Sequence, residues 1–104
     1  MINIKGKNHT VDSLTLGQCL QVYLMTSYQY YHRYNSLISD GDFDAIGKRL
    51  LSSWEDFEHQ HKHLVSLCDL KAGTLFALPS KQYPTVVVVA SDDWARDQYS
   101  GVCK

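Results

Sequence analysis

The chain reads as an α+β domain: an antiparallel helical hairpin packed with a small β-sheet and a short C-terminal helix. Three observations predict this. Two stretches carry apolar residues at three- and four-residue steps, and a later stretch is Val-rich and extended in pattern. The third is size, since 104 residues, 44% hydrophobic and 20% charged, supply one core. A chain this long buries roughly 60% of the surface its unfolded form exposes, enough for one domain over residues 1–104 and too little for a catalytic domain beside a cofactor domain.

Residues 1–11 alternate Ile2 and Ile4 with polar neighbours and turn at Gly6, Lys7 and Asn8, which predicts a short strand or hairpin. From Thr15, an expected N-cap, the period becomes helical. Leu16, Cys19, Leu20, Tyr23, Leu24, Ser27, Tyr31 and Tyr34 mark one face of a helix running to about Asn35. Ser39 is expected to cap a second helix, with Asp42 at the third position and Asp40, Asp42 and Asp44 at the positive end of its dipole. Phe43, Ile46, Leu50, Trp54, Phe57, His61 and Leu64 continue that helix, so residues 15–64 form the hairpin.

Residues 72–100 are expected to hold a β-hairpin and a short helix. Thr74 to Leu78 and Thr85 to Ala90 read as its strands, joined by the segment from Pro79 to Pro84. Ser91, followed by Asp92 and Asp93, reads as the N-cap of a helix through Tyr99 that stops at Gly101.

Composition narrows the function classes. Ten basic and eleven acidic side chains give a formal charge of −1, without the basic excess of a protein built to grip nucleic acid. Apolar runs fall far short of the ~20 residues that cross a membrane. Cys19, Cys68 and Cys103 are odd in number and widely spaced, so reduced thiols are expected rather than a disulfide framework or a four-cysteine zinc site. The amino terminus lacks a signal-peptide pattern, and a cytoplasmic location is expected, of a cell or of an infected host. No Gly-x-Ser-x-Gly and no Gly-rich phosphate loop occurs.

Five of the seven tyrosines fall between Tyr23 and Tyr34, and the stretch from Tyr30 to Asp44 reads YYHRYNSLISDGDFD. This stretch resembles the amino-terminal Ia domain of bacterial NAD-dependent DNA ligases. That family carries an aromatic pair, six residues, then Ile-Ser/Pro-Asp-x-x-Tyr-Asp and a long helix. Tyr30 and Tyr31 match the pair, Ile38, Ser39 and Asp40 the middle, and Phe43 and Asp44 the end, with Phe43 where the family has tyrosine. His63 and Leu64 sit near the end of the family's helix, and the likeness covers residues 20–64.

The resemblance implies that Tyr30, Tyr31, Asp40, Phe43 and Asp44 form a site for the nicotinamide mononucleotide half of NAD. It also implies a free-standing Ia-like domain, of the kind a phage encodes to engage a host enzyme of DNA or nucleotide metabolism. The physics agrees: a cationic nicotinamide ring is attracted to an aromatic face, and ribose hydroxyls donate well to carboxylates. The same residues also fit a tyrosine-rich helix face packed on a capped neighbour. No Lys-x-Asp-Gly adenylation motif occurs, so a non-enzymatic binding protein is expected, with a protein partner or with nicotinamide mononucleotide or NAD as ligand.

Two further clusters carry side chains of the kinds that bind metals or partners. His59 and His63 would stand one helical turn apart, a spacing metal ligands use, near Glu55 and Glu58; Gln60 replaces the glutamate of a zinc-peptidase motif. Basic residues and histidines closing a helix complement its dipole equally well, and no metal is expected. Trp94, Arg96 and Tyr99 have the composition of a protein-binding hot spot or of a packed core. Lys48, Arg49, Lys62 and Lys71 form no basic stripe, because Glu55, Asp56 and Glu58 interrupt them.

Overall fold

Three helices carry the fold in a computed structural model of the chain, which describes residues 2–4, 7–56, 58–59, 62–65 and 80–99. Strands β1 (Ile2–Ile4) and β2 (Lys7–His9) pair antiparallel with Ile2 opposite His9. A single 3-10 turn, Val11–Ser13, leads into helix α1 (Leu16–His32), followed by α2 (Asp40–Ser52) and α3 (Thr85–Tyr99). Short 3-10 turns occupy Trp54–Asp56, Lys62–Leu64 and Ser80–Gln82.

The expected α+β architecture is therefore replaced by a mostly helical one. Thr85 to Ala90, read as a strand, is the first half of α3. Strand Thr74 to Leu78 lies outside the described residues, so no β-hairpin of that kind packs on the helices in the described part. Pro84 starts α3: its carbonyl accepts from the amides of Val87 and Val88 at 3.0 Å. The valine run costs a few tenths of a kcal/mol per residue in helix propensity, which packing outweighs. Val87, Ser91, Trp94 and Ala95 are buried at helical spacing, whereas Val86 and Val89 are 63% and 58% exposed. Ser91 is no N-cap; it sits inside α3 and is fully enclosed.

The starts of the first two helices are encoded locally. Thr15 Oγ1 accepts from Gln18 N at 3.1 Å while Gln18 Oε1 accepts from Thr15 N at 2.9 Å, a complete capping box. Ser39 Oγ accepts from Asp42 N at 3.1 Å. The ends differ from expectation. α1 stops at His32, and Arg33 N and Asn35 N both donate to Gln29 O, at 3.2 and 2.8 Å. Between them Tyr34 takes φ 61°, a left-handed conformation that costs a non-glycine residue roughly 1–2 kcal/mol.

α2 ends at Ser52, twelve positions short of the expected Leu64. Ser52 Oγ donates to Arg49 O at 3.0 Å, the kind of local side-chain bond that competes with helix continuation, and Asp56 N then closes a 3-10 turn on Ser53 O at 2.9 Å.

α1 is the central element because it packs against both other helices. Against α2 it sets Tyr23 on Phe43, with ring centroids 4.6 Å apart and planes 12° from parallel. Gly47 lies close to the same ring, where a Cβ would stand 3.4 Å from Tyr23. Leu20, Leu24, Ile46, Leu50 and Trp94 are enclosed in the same core. Against α3 the contact includes buried polar bonds: Gln29 Nε2 donates to Ser91 Oγ at 3.0 Å and to Asp92 Oδ1 at 2.7 Å, and Gln29 Oε1 accepts from Asn35 Nδ2 at 2.9 Å.

Arg49 ties α2 to the segment before α1. Its guanidinium donates to the Val11 and Leu14 carbonyls and lies 3.5 Å from Cys19 Sγ. Burial pushes the Cys19 thiol above its ordinary pKa, with Arg49 opposing, so Cys19 stays a neutral core residue. No described helix is long and apolar enough to cross a membrane.

Candidate functional site

A cleft of about 190 Å³ opens where the last turn of α1 meets the first turn of α2. Tyr30, Tyr31, Asp40, Phe43 and Asp44 all line it. The five residues singled out in the sequence are thus brought together. Each is there for a local reason. Tyr30 and Tyr31 end α1 on the side away from the Gln29 seam, and the Ser39 cap orients the first turn of α2 so that Asp40, Phe43 and Asp44 recur at helical spacing.

The connecting segment is held at both ends. Ser36 Oγ donates to Ile38 O at 3.1 Å, and Asn35 is bonded to Gln29 through backbone and side chain. Leu37 is buried, and with Thr26, Ser36 and Ile38 it completes the lining. Of these four, Ile38 stands in the matched stretch without being a predicted site residue, and Thr26, Ser36 and Leu37 fall outside the matched positions.

Inside the cleft the rings are ordered by contact. Tyr30 and Tyr31 meet edge to face, with centroids 4.9 Å apart and planes at 88°. Phe43 is backed by its stack on Tyr23, so the hydroxyl that a tyrosine would bring is replaced by a fixed apolar wall. Burial, then Tyr30 and Asp40, push the Tyr31 phenol above its ordinary pKa. It therefore keeps its proton at neutral pH and can donate it in a hydrogen bond. Asp44 pairs with Lys48 at 2.9 Å, an exposed pair one helical turn long.

The cleft continues into a shallower depression of about 390 Å³ lined by Tyr30, Tyr31, Tyr34 and Ser36. The helical spacing predicts Tyr34 on the apolar stripe of α1; it is instead 88% exposed, past the helix end.

The other sequence candidates are dispersed. His59 and His63 do not share a helix face, because α2 has already ended at Ser52. His59 packs toward Gly17, whose Cβ, if present, would lie 3.4 Å from the imidazole, and the His63 side chain lies outside the described residues. Among the described residues, no three His, Cys, Asp or Glu side chains are grouped to hold a metal ion. Trp94 is 1% exposed and belongs to the core, which removes it from any binding surface. Arg96 pairs with Asp93 at 3.2 Å, and the Tyr99 side chain is outside the described residues. Lys62 lies over the Trp54 ring, 5.0 Å from its centroid.

No protein-family model, no curated protein and no solved structure matches the chain.

Proposed function

We propose that the protein is a non-catalytic binding module resembling a free-standing Ia domain of NAD-dependent DNA ligases, and that the α1–α2 cleft takes the nicotinamide end of nicotinamide mononucleotide or NAD. One observation carries this reading: the aromatic pair, Phe43 and both carboxylates line the same open cleft. Three rings and two acids suit a flat cation bearing hydroxyls. The ring is drawn to aromatic faces, Asp40 and Asp44 accept from ribose hydroxyls, and the protonated Tyr31 phenol donates to the ligand's carboxamide oxygen. The size is consistent as well. About 190 Å³ is below the ~300–1,000 Å³ of pockets that enclose whole drug-sized ligands, so the cleft holds a ring and leaves the remainder outside.

Titration calorimetry with nicotinamide mononucleotide and with NAD tests the proposal. Wild-type protein is expected to release heat with both, and Asp44→Ala to abolish it. Absence of heat with wild-type protein at millimolar ligand would reject the reading.

A second reading has the same domain working through a protein partner, such as a host enzyme of DNA or nucleotide metabolism engaged by a phage-encoded factor. It is favoured by Tyr30 and Tyr34, which stand 52% and 88% exposed one helical turn apart in sequence. Tyrosines are enriched among the anchors of protein interfaces. A pull-down from bacterial lysate is expected to recover one enzyme repeatedly with wild-type protein and to lose it with Tyr34→Ser. Repeated recovery of nothing counts against this reading.

A further inference from the structure

The two adjoining depressions differ in chemistry. The inner one combines aromatic rings with Asp40 and Asp44. The outer one is lined by Tyr30, Tyr31, Tyr34 and Ser36 and holds no charged side chain. Tyr30, Tyr31 and Ser36 belong to both, so one molecule can occupy the two without leaving the protein surface.

Tyr34 is unusual within this wall. Position 34 follows the end of α1 in a left-handed conformation at φ 61°, where glycine or asparagine is the ordinary occupant. A tyrosine there is disfavoured by its own backbone, and at 88% exposure it recovers little by packing within the chain. Strained residues of this kind cluster at ligand-binding sites. The flanking bonds from Arg33 N and Asn35 N to Gln29 O hold the backbone on both sides, so the ring is presented from an anchored position.

We infer that the outer depression is a second stacking subsite, with Tyr34 as its platform, for a neutral planar ring such as the base of a dinucleotide whose cationic ring occupies the inner cleft. The assignment rests on the nicotinamide reading of that inner cleft. Charge decides the orientation: the two carboxylates select the cationic ring for the inner position, and the uncharged tyrosine wall accepts any π-face. Lys48, exposed and paired with Asp44 at 2.9 Å, adjoins the lining of the inner cleft.

The test compares NAD with nicotinamide mononucleotide by calorimetry on the full chain, for wild type, Tyr34→Gly and Tyr34→Phe. Stacking of one base predicts that wild-type protein binds NAD about tenfold more tightly than the mononucleotide. Tyr34→Gly should erase that preference while leaving mononucleotide affinity unchanged, and Tyr34→Phe should retain it. Glycine suits φ 61°, so the melting temperature of Tyr34→Gly should stay level or rise, which separates lost stacking from lost folding. Equal affinity of wild-type protein for the two ligands, or an equal loss of both in Tyr34→Gly, overturns the subsite and leaves the inner site standing. Binding of neither ligand by wild-type protein overturns the inner site, and the subsite with it.

Discussion

Residues 28–31 form little more than one turn of α1, yet they have two fates. Tyr28 and Gln29 are enclosed against α3 and the turn before it, where Tyr28 meets Tyr83 edge to face at 5.2 Å and Gln29 bonds Ser91 and Asp92. Tyr30 and Tyr31 line the open cleft toward α2. On the closed side the Gln29 amide is engaged within the protein, donating twice and accepting once. On the open side, by contrast, aromatic faces and carboxylates remain accessible. A single helix thus stabilises the domain with one face and presents chemistry with the other, and Gln29 links the two because it also anchors the segment that closes the cleft.

That contrast predicts mutations of unequal effect. The largest is Trp94→Ala on the closed side, where removing an enclosed indole should cost about 3–5 kcal/mol of stability in urea denaturation. Gln29→Leu keeps the volume but leaves Asp92 and Asn35 without this partner. It should cost about 2–3 kcal/mol and also weaken ligand binding, since the connecting segment keeps the backbone bond from Asn35 N to Gln29 O but loses the side-chain bond beside it. If Gln29→Leu changed stability but left affinity untouched, the proposed link between the two sides would fail.

Asp44→Ala belongs to the open side and should behave in the opposite way. It loses only an exposed pair with Lys48, so stability should move by less than about 0.5 kcal/mol while calorimetric binding disappears. The smallest effect is expected at Val89→Ala, on the exposed face of α3. There the better helix former should raise stability by a few tenths of a kcal/mol, whereas a strand would have been weakened by the same change. Melting temperatures read both variants.

The candidate site was more legible in the sequence than the fold around it. Tyr30, Tyr31, Asp40, Phe43 and Asp44 were assembled from a pattern whose spacing includes the helix end, the connection and the Ser39 cap, all of which act within a few residues. The C-terminal half was misread for a physical reason. A run of four valines has no internal period, so β-branched propensity was the only signal in it, and propensity is weaker than burial of Val87, Ser91, Trp94 and Ala95 along one helical stripe. The stripe itself was available at 87, 91, 94 and 95 had the segments 85–90 and 91–99 been read as one. The overlong second helix had the same origin: Trp54 and Leu64 continue the apolar spacing across serines that end the helix by local hydrogen bonding.

By itself the sequence determined a formal charge of −1, the N-terminal boundaries of the first two helices and the five residues of the cleft, because caps and short-range spacings act through neighbours in the chain. Tertiary structure decided the rest. It determined that α3 is a helix, that the second face of α1 is buried, that Ser91 and Gln29 satisfy each other 62 positions apart, and that Tyr34 leaves the helix to stand in solvent. Those outcomes depend on which surfaces meet, and burial between segments distant in sequence outweighs the few tenths of a kcal/mol per residue by which local preference votes.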